Sequence, residues 1–168
     1  MSKLDKIGFG GGCHWCTEAI FQSIKGVINV EQGWIASKGE AISFSEAVVV
    51  SFDTAIISLA VLLEIHSHTH KSTSEHSMRK KYRSAVYVFN NHQKEEIDQL
   101  FMNLQEKFEK KLITQVLPFS EFKPSGAEVK DYYYKNPQKP FCETFINPKL
   151  QLLLSVFTDH VDQDKLKH

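Results

Sequence analysis

The rhythm of hydrophobic and polar positions changes several times along the chain. Ile7 to Phe9 is a short apolar run of strand length. From Cys13 onward, Ala19, Ile20, Phe21 and Ile24 recur at helical spacing, and Gly26 supplies a stop. Val27 to Ile35 alternates loosely as a strand does. Glu46 to Phe52, EAVVVSF, is β-branched and predicts a buried strand. Asp53 is a candidate cap for a helix carrying Ile56, Leu59, Leu62 and Leu63. The polar stretch from His66 to Lys81 predicts an exposed loop, and Tyr82 to Phe89 a further strand. Asn91 is a candidate cap for a long helix whose core stripe is Ile97, Leu100, Phe101, Leu104 and Phe108. Glu95 and Glu96 are expected in its first turn, where the helix dipole favours them. Ile113 to Leu117 predicts a short strand. Pro118 to Phe145 is a loop-rich tail, and Asn147-Pro148 opens a last helix through Leu152 and Leu153.

This order, βαββαβαβ and then the tail, implies one α/β (α+β) domain over residues 1–168. Alternating helices and strands predict a mixed sheet with helices packed on it, a two-layer sandwich. The first six elements fit a split βαβ, ferredoxin-like core.

Composition narrows the function. The 168 residues are 42% hydrophobic and 24% charged, enough for one real core and not for a disordered chain. Twenty basic residues balance twenty acidic ones, which argues against a nucleic-acid or anionic-membrane partner. No stretch approaches the roughly 18 apolar residues that span a bilayer. No apolar signal-peptide core precedes Gly10. The expectation is a soluble, cytoplasmic monomer. Its cysteines, Cys13, Cys16 and Cys142, are odd in number, so reactive thiols or a metal fit better than a structural disulfide framework.

The candidate chemistry sits in GGGCHWCTEAIF. A strand, a glycine turn and a helix place Cys13 at a helix N-terminus, whose free N–H groups stabilise a thiolate. Cys16 lies one turn along the same helix. The pair therefore has the spacing of a redox dithiol, in which one thiolate attacks and the second closes a disulfide. Two plainer readings stand beside it. A cysteine can be a small buried hydrophobe. The C-x-x-C can also hold zinc with His66, His68, His70 or His76, although alternate histidines in a polar loop suit solvent better than a ligand cluster.

The same stretch resembles the A-type peptide methionine sulfoxide reductases, whose signature is a glycine run, Cys-Phe-Trp, then Gly or Cys and often a Glu. The likeness continues in order through IKGVINVEQGW, SEAVVVSFD, EIH, KKYRSAVY and NPQKPFCETFINPKL, nearly the whole chain. The resemblance implies reduction of the S epimer of methionine sulfoxide, free or in peptides and proteins, without a prosthetic group or metal. It implies Cys13 as nucleophile, Trp15 in the pocket for the S-methyl group, Glu46 as the acid for the sulfoxide oxygen and Tyr82 as a second ligand of that oxygen. Cys16 and Cys142 are the candidate resolving thiols, with a thioredoxin-type protein or a dithiol as external reductant. Glu18 is expected to be structural. The chemistry is coherent: a sulfoxide oxygen leaves only once protonated, and an apolar site favours the neutral form of a carboxyl.

Four departures fall mostly on substrate binding. His14 replaces the family's Phe beside the nucleophile, and the expectation is either a more polar methyl pocket or a perturbed thiol. The segment between Trp34 and Ser45 is short and lacks the family's Pro-Thr-Tyr. Ser77, within His76 to Lys81, stands where the family has an acidic residue that binds the substrate backbone. The family's His-Gln near the tail is not evident. Other thiol oxidoreductase chemistry, or binding of methionine-containing or oxidised peptides without turnover, are the alternatives these departures raise.

Overall fold

In a computed structural model, the residues described are 3–11, 14–39, 42–69, 83–109, 111–126 and 147–162. The chain runs β1 (Leu4–Gly10), α1 (His14–Gln22), β2 (Val27–Ala36), β3 (Ser45–Asp53), α2 (Leu59–Thr69), β4 (Ala85–Val88), α3 (Asn91–Gln105), β5 (Gln115–Pro118), β6 (Glu121–Pro124) and α4 (Asn147–Val156). A single 3-10 turn, Thr158–His160, follows. The strands form one mixed sheet in the order β5-β4-β1-β3-β2-β6. Its inner four, β4-β1-β3-β2, are antiparallel neighbours and form the expected ferredoxin-like core. β5 extends it in parallel with β4 after the α3 crossover, and β6 adds antiparallel to β2 at the other edge.

Among the described residues, all four helices pack on one face. Phe9 of β1, Val48 and Val50 of β3, Phe21 of α1, Leu62 of α2, Ile97 of α3 and Leu153 of α4 share one apolar cluster. A smaller cluster, Ile35, Ala47, Val49, Ala85 and Tyr87, lies on the other face. Every residue of β3 is buried, because the strand is central and covered on both sides. Among the described residues, no helix is long and apolar enough to cross a membrane.

Several local expectations shift. Asp53 is not a helix cap: its carboxylate accepts the Ala55 N–H and closes a turn, and α2 begins at Leu59, with the Ser58 hydroxyl accepting the Val61 N–H. The cap of α3 is Asn90 rather than Asn91, and its side chain accepts from the Gln93 N–H. Gln93 reaches back to the Phe89 N–H and donates to the Lys6 carbonyl, tying α3 to β1. No acidic residue lies in the first turn of α3, so Glu95 and Glu96 fall beyond it. β6 lies inside the tail that predicts only loop. The helix α1 ends at Gln22, four residues before Gly26, whose φ of +91° is left to the turn into β2.

Candidate active site

β1 alternates large and absent side chains. Ile7 and Phe9 point into the helix-side cluster, whereas Gly8 and Gly10 face the other way. Gly10 is the last paired residue of β1, opposite Ala47 on one side and Ala85 on the other. A Cβ there would lie 2.8 Å from the Arg83 carbonyl oxygen, 3.3 Å from that of Glu46 and 3.4 Å from the Tyr87 ring. Three backbone segments therefore meet at this glycine. Gly11 follows with φ +145°, a conformation that favours glycine, and α1 starts at His14. Cys13 itself lies outside the described residues, in the short link between two fixed points. Phe21 of α1 stacks on Phe9 of β1 with ring centroids 4.7 Å apart and planes 6° from parallel.

Cys16 sits in the first turn of α1, buried in the main apolar cluster. Trp15 is half-buried against that cluster. His14 begins the helix. Glu18, one turn on, is buried as well.

Glu46 is the second residue of β3 and only 5% exposed. By strand alternation it shares a face with Val48, Val50 and Phe52, the face that the helices cover. Its cross-strand partner is Trp34 of β2. Its neighbour Ala47 is paired with Gly10. The acid thus stands at the end of the sheet where β1 turns into α1, and α1 packs across β2 and β3. Glu46 and the helix that begins after Cys13 lie on one face of the sheet.

Tyr82 lies outside the described residues, but the next residue is heavily anchored. The Arg83 N–H donates to the Ser45 hydroxyl at 2.7 Å. Its guanidinium donates to the Ile35 and Ser43 carbonyls at 3.2 and 2.8 Å, and to the Tyr87 hydroxyl at 3.2 Å. The segment that carries Tyr82 is thereby cross-tied to the one that carries Glu46. Burial pushes the Tyr87 phenol up, against the downward pull of the Arg83 charge and hydrogen bond.

The histidines correct the sequence reading. His66 and His68 belong to α2, which runs to Thr69, and not to an exposed loop. Leu59, Leu62, Leu63 and His66 share one helical stripe, so the period itself puts His66 on the core side. It is 2% exposed, and its Nε2 lies 2.8 Å from the Gly10 carbonyl oxygen. Its ring sits 4.7 Å from that of Phe9. His68 is held between Phe108 at 4.7 Å and Phe157 at 5.9 Å. Among the described residues, no group of three or more His, Cys, Asp or Glu is arranged to hold a metal ion. His70, His76, Ser77 and Cys142 lie outside the described residues.

Motif spacing singles out Cys13, Trp15 and Cys16. It offers His66 only as a zinc ligand and gives Arg83 no role, whereas both bond backbone carbonyls. The helical stripe was the available signal for His66. For Arg83, no signal short of the register of β4 against β1 would serve.

The sequence pattern of the family described as Peptide methionine sulfoxide reductase matches residues 5–161. "Peptide methionine sulfoxide reductase MsrA" of Trichodesmium erythraeum (strain IMS101) is 34% identical over 174 residues, covering 94% of this chain and 98% of that protein. The reduced form of Mxr1 from Saccharomyces cerevisiae has a similar fold, with a TM-score of 0.74 at 22% identity, over 85% of this chain and 91% of that one. The same yeast protein in complex with Trx2 aligns with a TM-score of 0.61 at 21% identity, over 77% of this chain and 85% of that one.

Proposed function

The chain belongs to the peptide methionine sulfoxide reductases, and from that premise we propose how its own residues divide the reaction. The activity is thiol-dependent reduction of methionine sulfoxide, of the S epimer at sulfur, to methionine. Cys13, at the N-terminus of α1, attacks the sulfoxide sulfur as a thiolate. Glu46 gives a proton to the sulfoxide oxygen, with Tyr82 as a second hydrogen-bond partner. The oxygen passes to the cysteine sulfur: methionine leaves reduced by two electrons, and Cys13 becomes a sulfenic acid. A second thiol, Cys16 or Cys142, then forms a disulfide with Cys13 and releases water. An external dithiol takes the disulfide and restores both thiols, so no prosthetic group is needed.

The observation that carries this reading is the place of Glu46. It is a nearly inaccessible carboxylic acid on the helix-covered face, level with the end of β1. A surface strand glutamate would have no such position. Trp15 and His14 line the pocket for the S-methyl group, and His14 makes that pocket more polar than Phe would. Ser77 takes the place of the family's acidic contact to the substrate backbone. Cys16 is buried in the apolar cluster, so its use as the resolving thiol requires the first turn of α1 to fray. Cys142 is the other candidate for that role. A thioredoxin-type protein is the proposed reductant, supported by the yeast structural neighbour solved with Trx2. Such recycling suits the reducing cytoplasm, where we place the protein.

The test is turnover of the separated epimers with dithiothreitol as reductant. Wild type is expected to convert the S epimer of methionine sulfoxide to methionine, and Cys13→Ser to convert none. An S epimer left untouched by wild type, or consumed equally by Cys13→Ser, defeats the proposal.

A further inference from the structure

We infer that His66 is a positioning residue for the reaction: it fixes the last carbonyl of β1 and so aims the link that delivers Cys13. The inference rests on the proposed role of Cys13 as nucleophile.

The sheet anchors Gly10 through its pairing with Ala47 and Ala85, but the chain leaves the sheet immediately afterwards. The direction in which it leaves depends on the peptide plane after Gly10. A carbonyl can only accept, so the 2.8 Å contact fixes the hydrogen of His66 on Nε2 and pins that plane. The ring is held in turn by Phe9 beneath it and by burial in the last turns of α2. Phe9 also stacks on Phe21, which sets α1. One aromatic side chain thus supports both ends of the link: His66 on the Gly10 side, Phe21 on the α1 side. Gly11 has the backbone freedom to point the next residues elsewhere. The bonds made by the backbone on either side therefore bear on that direction, and the bond from His66 to the Gly10 carbonyl is one of them. The far end of α2 is also restrained, because Lys149 of α4 donates to the Thr69 carbonyl.

Because His66 also packs in the core, two variants separate aim from stability. His66→Phe keeps an aromatic ring against Phe9 and removes the donor. His66→Gln keeps an N–H donor without the ring. Each is compared with wild type in two assays. Alkylation by iodoacetamide as a function of pH, resolved by peptide mass mapping, reports the state of the Cys13 sulfur whatever its role. Steady-state turnover of methionine sulfoxide reports the reaction. His66→Phe is expected to move the alkylation midpoint of Cys13 upward and to lower kcat by up to about 100-fold with KM little changed, the signature of a misaimed nucleophile. His66→Gln is expected to restore most of both. Should His66→Phe not fold, His66→Gln still decides, since it must keep the wild-type alkylation profile. A wild-type profile and kcat in His66→Phe with only a lower Tm overturns the inference, as does His66→Gln failing as fully as His66→Phe. If the alkylation profile moves but Cys13→Ser turns over normally, the role of Cys13 falls while the positioning of its sulfur by His66 stands.

Discussion

On the helix-covered side of β1, Ile7 and Phe9 enter the large apolar cluster with residues of every helix. On the opposite side the same strand presents Gly8 and Gly10, and the space is taken by Tyr87, Ile35 and the backbones of Arg83 and Glu46. The first side gains by bulk: each side chain removes apolar surface from water and fills space in a close-packed core. The second side gains by absence, since leaving out Cβ lets three backbone segments come together at the end of the sheet. Fold stability is concentrated on one face. The relative placement of the segments bearing Glu46 and Tyr82 depends on the other.

The contrast can be broken by a matched pair of substitutions. Ile7→Ala removes a fully buried side chain from the helix-side cluster, and is expected to cost about 2–5 kcal/mol in urea unfolding. Gly10→Ala puts a methyl group 2.8 Å from the Arg83 carbonyl oxygen, and is expected to cost less stability, about 1–3 kcal/mol. Activity should fall out of proportion in Gly10→Ala at a temperature where both variants are folded. Equal loss of activity per kcal/mol in the two would erase the distinction between the faces.

A smaller effect sharpens the picture on the helix side. Burial holds the His68 imidazole below its ordinary 6.5; Glu64 pulls it up and Lys107 pushes it further down. The unfolded chain therefore binds more protons below pH 6.5, so the stability due to neutral His68 is present above that pH and is lost as the pH falls through the folded value. His68→Asn is expected to flatten the fall in Tm below about pH 6.5 relative to wild type. An unchanged slope would mean that other groups control it.

Much of this architecture was legible because the hydrophobic pattern and the tertiary structure ask for the same thing. Strand β3 is a β-branched run, and central strands covered on both faces are such runs. The failures have local causes. β6, EFKP, is four residues among prolines, and it exists through pairing with β2 nearly ninety positions away, with Pro124 opposite Gly33 at the sheet edge. The end of α2 is obscured because alternate histidines look polar, although the helical period places His66 beside the leucines. Asp53 satisfies the chemistry of a cap and serves a turn instead, since a carboxylate accepts an N–H two residues on in either case. In the candidate site, the role proposed for Cys13 is suggested by its own neighbourhood in the sequence. That of Glu46 is not: in the sequence it is one glutamate at a strand start, and only the family pattern picks it out. Arg83 and His66 fall within the family-like stretches KKYRSAVY and EIH, but their bonds to backbone carbonyls cannot be read from residue type.

The most direct measurement mixes the enzyme with one equivalent of the S epimer of methionine sulfoxide, without reductant, and follows the mass of the Cys13 peptide over time in wild type and in Glu46→Gln. Wild type is predicted to release methionine as Cys13 gains one oxygen atom or proceeds to a disulfide. Glu46→Gln is predicted to do so about 10²- to 10⁴-fold more slowly. Oxidation of Cys13 at the wild-type rate in Glu46→Gln, or methionine released while Cys13 stays a thiol, would contradict the account.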